Sequence, residues 1–174
     1  MQSINYLGNP LLKKANVPID FTPEQVEEYI KCADDPIYFI KKYMKIVTVD
    51  EGLIGFDMWD FQEDMVQQFH DNRFVICKMP RQTGKSTTII SYLLHYVLFN
   101  QDVRIGILAN KGSTARELLG RWQLAYENLP IWMQQGVVEW NKGNIELENG
   151  SKILASSTSS SAIRGGTFNI IFLD

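Results

Sequence analysis

The sequence predicts an α/β fold with a mainly parallel sheet. Three apolar runs suit buried strands, at residues 74–77, 103–109 and 169–174. The first two precede segments of helical character, at 86–100 and 113–128, after short polar turns. Strands that alternate with helices of these lengths indicate right-handed crossovers and parallel pairing.

The N-terminal third is predicted to be mainly helical. Residues 1–56 are assigned to an N-terminal arm and a helical subdomain, and residues 57–174 to the core domain. Thr22, followed three residues later by Gln25, forms a capping box that begins a helix. The other elements predicted before residue 74 are a loosely held arm, a helix, a hairpin and a further helix, at 1–20, 37–44, 46–56 and 59–70.

A small β insertion is predicted between the second core helix and the last core strand. Three short strand candidates, at 137–140, 144–147 and 152–155, are separated by turn sequences that include Asn149-Gly150, a strong hairpin signal. We therefore expect an antiparallel meander, followed by a serine-rich loop on the ligand-binding rim.

Composition limits the classes of protein that this chain can represent. The 174 residues are 45% hydrophobic and carry a formal net charge of −3, so bulk charge does not indicate a nucleic-acid partner. Cys32 and Cys77 have no metal-binding spacing and are interpreted as reduced thiols of a cytoplasmic protein. The longest apolar stretch, 89–99, is too short to span a bilayer, which argues against a membrane partner.

Residues 79–87 (MPRQTGKST) have the sequence of a phosphate-binding loop between a strand and a helix. Backbone N–H groups at a helix start hold anions, the Lys85 ammonium reaches the β- and γ-phosphates, and the Ser86 hydroxyl ligates Mg²⁺. The usual pattern has a first glycine where this chain has Met79, so an ordinary surface turn is the alternative. The loop predicts binding of a nucleoside triphosphate.

Two further residues suit the same site. Asp174 ends an apolar strand, where its carboxylate is placed to hold hydrated Mg²⁺; the alternative is an aspartate that only enters a turn. Gln62 lies on a predicted helix, and its amide can donate to and accept from adenine simultaneously. Spacing alone does not distinguish that role from a solvent-facing glutamine.

With these residues placed, the sequence resembles the ATPase part of large terminase subunits, the DNA-packaging motors of tailed bacteriophages, especially the myovirus type. The resemblance covers residues 59–174 and is carried by DFQEDM, MPRQTGKST, GILANKGS, GVVEWNKGNIELENGS and SAIRGGTFNIIFLD. It implies a P-loop NTPase core of the RecA and helicase-like kind. This family often lacks the first loop glycine and has an arginine within the loop, in keeping with Met79 and Arg81.

The resemblance also implies roles for individual residues. Gln62 matches an adenine-recognising glutamine, Arg81 a γ-phosphate-sensing arginine, and Arg164 an arginine that acts across a subunit interface in some members; the alternative for Arg164 is a basic residue in a mobile loop. The implied catalytic residues are Arg81, Lys85, Arg164 and Asp174; the metal ligands are Ser86 and Asp174. The implied nucleotide-binding residues are Phe61, Gln62, Arg81, Gln82, Thr83, Gly84, Lys85, Ser86 and Thr87.

In the resembling family a catalytic glutamate directly follows the strand-end aspartate, and here Asp174 is the last residue. The nuclease domain of the family is likewise outside the sequence. We therefore expect an N-terminal piece of a larger, split or intein-interrupted protein, with the core ending after the Walker B strand. Such a piece should bind ATP and Mg²⁺ but hydrolyse little ATP.

The resemblance implies a motor that translocates double-stranded DNA into a procapsid. The implied partners are double-stranded DNA, a portal protein and a small terminase subunit, with a homo-oligomeric ring during packaging, in the host cytoplasm. A helicase-like DNA-dependent ATPase and a non-catalytic nucleotide-binding fragment are the alternatives. Strand separation on a forked duplex would favour the helicase, and tight nucleotide binding without phosphate release, even after partners are added, would favour the non-catalytic fragment.

Overall fold

The predicted helices and most predicted strands are present in the structure, a computed structural model that describes residues 4–159 and 166–174. The helices are α1 (Pro23–Asp34), α2 (Pro36–Tyr43), α3 (Asp60–Asp71), α4 (Lys85–Phe99) and α5 (Gly112–Glu127), with a 3₁₀ turn at Ile131–Met133. The strands are β1 (Asn5–Tyr6), β2 (Asn9–Lys13), β3 (Lys45–Thr48), β4 (Gly52–Gly55), β5 (Arg104–Ala109), β6 (Val137–Trp140), β7 (Asn144–Leu147), β8 (Lys152–Ser157) and β9 (Ile170–Leu173).

The main sheet is mixed and has the strand order β6-β7-β8-β5-β9. β5 pairs in parallel with β8 and β9, whereas β6, β7 and β8 pair antiparallel. The prediction of a mainly parallel sheet with a separate meander is therefore wrong in one respect: β8, predicted as part of the meander, lies beside β5. Ile153 faces Ile105 in that pairing, and both side chains are fully buried. Burial of this apolar pair joins the insertion to the core sheet.

The strand predicted immediately before the phosphate loop is not formed. Residues 74–77 belong to no described strand, and Phe74 and Ile76 are exposed. An apolar run becomes a strand only when a neighbouring strand takes its N–H and C=O groups. β9 is an edge strand of the main sheet and pairs only with β5 among the described strands.

The N-terminal arm is held more firmly than predicted. β1 and β2 form a hairpin, and Leu12 and Lys13 at its end are buried. The Lys13 ammonium forms an ion pair with the carboxylate of Glu148, which also accepts hydrogen bonds from the backbone N–H groups of Asn16 (2.9 Å) and Gly136 (2.6 Å). One carboxylate therefore ties the arm to the β6–β7 region, a contact that no local sequence pattern shows.

The core lies where α5 packs against β5 and β8 of the sheet and α4 packs against α5. Its largest fully buried side chains include Trp122 and Tyr126 of α5 and Leu94 of α4. α4 packs against α2, α3 and α5, which is why its apolar residues extend around most of the helix. Among the described helices, α4 included, none combines the length and apolarity needed to cross a membrane.

Two predictions that depend only on nearby residues, the helix cap and the free cysteines, are confirmed. Thr22 caps α1, and its hydroxyl accepts from the Gln25 backbone N–H while the Gln25 side chain accepts from the Thr22 N–H. Cys32 and Cys77 are both free thiols, as predicted.

Candidate functional site

The loop that precedes α4 has two residues in the left-handed backbone region, Gln82 (φ +62°) and Gly84 (φ +76°). Gly84 is the N-cap of α4, so the loop turns directly into the helix start. A Cβ atom on Gly84 would lie 2.5 Å from Nε2 of Gln62. The backbone conformation therefore favours glycine here, and any side chain at this position would displace the Gln62 amide.

Lys85, the first residue of α4, directs its side chain back over the loop. Its ammonium donates to the backbone carbonyls of Pro80 (2.8 Å) and Met79 (3.3 Å). The positive charge thus lies over the loop at the N-terminus of a 15-residue helix. A helix start with an adjacent ammonium is an arrangement that attracts anions.

Ser86 and Asp174 meet at the carboxyl end of β9. The Ser86 hydroxyl donates to Oδ1 of Asp174 at 3.0 Å, although the two residues are 88 positions apart in the sequence. The structure therefore brings together the two residues that the sequence predicted as metal ligands. A hydroxyl beside a carboxylate is a donor set that fits Mg²⁺, which prefers a few oxygen ligands supplemented by phosphates and water.

Gln62 is buried, with 3% of its surface exposed, and is not the solvent-facing residue of the alternative interpretation. Its amide oxygen accepts from the Trp59 N–H at 3.0 Å, and its Nε2 donates to the Thr83 carbonyl at 3.1 Å. Gln62 therefore connects the first turn of α3 to the loop. Each amide atom retains one further hydrogen-bonding position.

A cavity of about 440 Å³ adjoins the loop on the side of Gln62. Its apolar wall comes from the β3–β4 hairpin and the start of α3, and its other wall is the loop itself. The residues of the apolar wall are Ile46, Ile54, Phe56, Trp59 and Phe61; the loop contributes Gln82, Thr83 and Gly84, and the first turn of α4 contributes Thr87.

Sequence reasoning missed the hairpin contribution to this cavity. Ile46 and Ile54 face each other across β3 and β4, and their pairing is set by the hairpin register. No residue spacing relates the hairpin to the loop. A larger cavity of about 770 Å³ lies elsewhere, beside Phe21 and Trp132, and includes neither loop residues nor Asp174.

Of the two arginines predicted for the site, the structure describes only Arg81. Arg81 is exposed in the loop and makes no hydrogen bond or ion pair with the described part of the chain, so its side chain is free to move toward a bound anion. Arg164 lies outside the described residues. Thr83 stabilises the loop from within, since its hydroxyl donates to the Pro80 carbonyl at 3.1 Å.

Comparison with known proteins places the chain in a family. The family described as "Terminase large subunit, T4likevirus-type, N-terminal" matches residues 76–174, more than half of the chain. The protein therefore belongs to the N-terminal family of T4-like large terminase subunits.

A solved structure of similar fold is the crystal structure of the HK97 bacteriophage large terminase. The TM-score is 0.64 at 19% sequence identity, over 82% of this chain and 30% of that protein. At this identity the likeness concerns the fold. The present chain spans less than a third of the length of the HK97 protein.

Proposed function

We propose that this chain is the nucleotide-binding part of a DNA-packaging large terminase subunit and that it binds ATP with Mg²⁺. The observation that carries the proposal is the contact between Ser86 and Asp174 beside a loop that also positions Lys85 at a helix start. Few surface turns combine a left-handed glycine, a helix N-terminus, a lysine over the turn and a carboxylate from a distant strand. Membership of the large terminase family supports the same function.

In this proposal each part of the site has a defined task. The Lys85 ammonium exchanges its contacts with the Met79 and Pro80 carbonyls for phosphate oxygens. Ser86 and Asp174 would hold Mg²⁺, which neutralises charge on the β- and γ-phosphates when bound. Arg81, exposed in the loop, is the residue that would reach the terminal phosphate.

The cavity next to Gln62 is proposed as the site of the base. Its apolar wall suits a planar ring, and the two remaining hydrogen-bonding positions on the Gln62 amide match the donor and acceptor on the adenine edge. Nε2 of Gln62 also donates to the Thr83 carbonyl, so movement of the amide on contact with the base would shift the loop as well.

We propose that the isolated chain turns ATP over slowly. Asp174 is the one carboxylate that is hydrogen-bonded to loop residues 80–87 within the described ranges. Placed to hold a metal ion, that group is not available to orient the attacking water as well. Translocation of double-stranded DNA, with a portal protein, a small terminase subunit and a homo-oligomeric ring as partners, is proposed for the whole large subunit.

The test of the proposal is a titration of the 174-residue chain with a fluorescent ATP analogue in the presence of MgCl₂. We expect saturable 1:1 binding, competition by ATP and slower amide hydrogen exchange in residues 80–87. Phosphate release should stay close to the buffer rate. Saturable binding that leaves exchange in the loop unchanged would place the nucleotide elsewhere and contradict the proposal.

Gln62→Ala should reduce the preference for ATP over GTP. Removal of the amide abolishes base recognition and also releases the Thr83 carbonyl, so affinity for ATP should fall while affinity for GTP changes less. Competition titrations with both nucleotides measure the ratio. Gln67→Ala, an exposed glutamine on the same helix, is the matched control, and an unchanged ratio in Gln62→Ala would exclude the adenine role.

Asp174→Asn should raise the Mg²⁺ concentration needed for half-maximal ATP binding by about tenfold, which corresponds to about 1.4 kcal/mol. The asparagine oxygen can still accept from Ser86, so the change removes charge from the metal site and largely preserves the fold. MgCl₂ titrations at fixed ATP measure the effect, with exposed Asp50→Asn as control. Coincident titrations for the two variants would remove Asp174 from the metal site.

A further inference from the structure

The cavity of about 770 Å³ beside Phe21 and Trp132 shares no residue with the proposed nucleotide site. We call it the α1 cavity, because Val26, Tyr29 and Ile30 of α1 form one of its walls. Residues 16–19 and residues 132–135 form the others. Its volume lies within the range of about 300–1,000 Å³ that is usual for ligand pockets, so it can admit side chains of a binding partner.

The aromatic side chains of the α1 cavity are held in place before anything binds. The ring of Phe21 lies edge-on to those of Tyr29 and Trp132, at a centroid distance of 6.0 Å in both pairs. The Tyr29 hydroxyl donates to the Leu98 carbonyl (3.3 Å) and accepts from Nε2 of Gln135 (3.4 Å). Rings that are already ordered lose little conformational freedom on binding, which favours affinity.

Three large apolar side chains at this cavity remain in contact with water. Phe21 is 43% exposed, Val26 45% and Ile30 55%, and all three line the cavity. Val26 and Ile30 are four residues apart on α1 and therefore lie on the same face of the helix. Single exposed apolar residues are common, but a group of them around one cavity marks an interaction surface.

The edge of this surface along α1 is negatively charged. Glu27 and Asp34 lie three residues before and four residues after Ile30, so both are its neighbours on the helix surface. Both side chains are exposed, and neither forms a hydrogen bond or an ion pair with the described residues. Lys31 does not neutralise them, because its ammonium lies 3.9 Å from the centroid of the Tyr38 ring on α2.

The interior of the α1 cavity adds no net charge. Lys13 and Glu148 are the charged residues among the described residues that line it, and they form an ion pair. The unpaired carboxylates on α1 therefore determine the sign of the field at the entrance. A negative field repels the phosphates of nucleic acids and of anionic lipids and attracts lysine and arginine side chains.

We propose that the α1 cavity docks a basic amphipathic segment of a partner protein. An apolar side chain of the segment enters the cavity, and its lysine or arginine side chains lie beside Glu27 and Asp34. The Lys13 ammonium donates only to Glu148 among the described residues, so two of its three N–H groups remain for backbone carbonyls of the segment. A second copy of this chain is less suitable, because a symmetric contact would bring the same acidic edge against itself.

The test is a binding screen of the 174-residue chain against overlapping synthetic peptides that tile the proteins encoded by the same genome. We expect the peptides that bind to contain apolar residues flanked by lysine or arginine. They should slow amide hydrogen exchange in residues 23–34 and 131–135 and leave exchange in residues 80–87 unchanged. Their affinity, measured by fluorescence anisotropy, should fall as the NaCl concentration rises.

Ile30→Ser removes apolar surface at the cavity without a change of charge, and Ile30 is exposed enough for the fold to tolerate it. It should weaken binding of the active peptide by about tenfold. Val49→Ser, at a fully exposed apolar residue on the β3–β4 turn, is the matched control and should bind like the parent chain.

Glu27→Lys reverses one charge at the edge of the cavity. It should weaken peptide binding by about threefold at low salt and have little effect at high salt, because exposed charges are then screened. Glu51→Lys makes the same change at an exposed carboxylate on the β3–β4 turn and controls for the net charge of the chain.

Four results would overturn the inference. Two concern the site: no peptide binds, or Ile30→Ser and Val49→Ser bind the active peptide equally. The other two concern the occupant. Active peptides that come only from the large subunit itself would assign the cavity to a contact within that subunit. Protection of residues 23–34 that increases with the concentration of the chain alone would assign it to a second copy.

Discussion

Lys85→Ala is expected to weaken binding of ATP with Mg²⁺ by about 100-fold. The substitution removes the charge that we place against the β- and γ-phosphates, and a hydrogen bond to a charged group contributes about 1.5–3 kcal/mol. In the parent chain the Lys85 ammonium already lies over the loop, 2.8 Å from the Pro80 carbonyl. A small movement of the side chain would let it donate to a bound phosphate instead. Titration with a fluorescent ATP analogue measures the loss.

The control must separate loss of charge at the site from loss of charge in general. Lys142→Ala removes an exposed lysine from the turn between β6 and β7 and should bind ATP like the parent chain. Thermal unfolding of both variants shows whether the loop substitution also affects the fold, since Lys85 donates to two loop carbonyls. Equal affinity for ATP with Mg²⁺ in Lys85→Ala and the parent would reject the loop as the phosphate site.

The contacts of the loop illustrate how much of the site the sequence could predict. The succession of glycine, lysine and serine before an apolar helix is local, and its chemistry predicts the loop and the positions of Lys85 and Ser86. Asp174 was predicted from its place at the end of an apolar strand, and its contact with Ser86 agrees with that placement. The cavity wall formed by Ile46 and Ile54 could not be predicted, because it depends on how a distant hairpin packs.

In the fold, too, features that depend on neighbouring residues could be predicted, and features that depend on distant contacts could not. Capping by Thr22 and the hairpin turns depend on neighbouring residues and were predicted correctly. Strand order depends on which apolar surfaces meet, and alternation cannot tell that Ile153 has two neighbours, Ile145 of the meander and Ile105 of the core. The run at 74–77 was predicted as a strand because its composition is that of a buried one. Composition does not reveal whether a neighbouring strand is present.

His95 is a buried histidine in the middle of α4 that the nucleotide site does not use. Its ring lies among those of Phe39, Tyr92 and Phe99, with centroid distances of 5.5, 6.4 and 4.9 Å. Nε2 lies 2.8 Å from the Cys32 carbonyl, which can only accept, so Nε2 carries the hydrogen. Nδ1 has no hydrogen-bond partner within the described residues, so its protonation would bury an unpaired N–H.

Burial of the ring lowers the pKa of His95 to about 4, although its hydrogen bond to the Cys32 carbonyl acts in the opposite direction. In the unfolded chain a histidine has a pKa of about 6.5. Well above pH 6.5 this histidine is neutral in both the folded and the unfolded chain. Its titration then takes nothing from the free energy of unfolding. As the pH falls from about 6.5 to about 4, the unfolded chain takes up a proton that the folded chain does not. The free energy of unfolding should then fall by about 3 kcal/mol from this group.

His95→Gln is expected to lose this component of the pH dependence, because glutamine does not titrate and its amide can still donate to the Cys32 carbonyl. Urea unfolding of the parent and the variant at intervals between pH 7 and pH 4.5 measures the difference. Carboxylates titrate in both proteins and cancel in the comparison. If the parent and His95→Gln lose stability in parallel over this range, His95 is not a neutral buried group. A shallower loss of stability in His95→Gln than in the parent would instead identify His95 as a contributor to acid unfolding, because folding keeps its imidazole neutral among apolar rings.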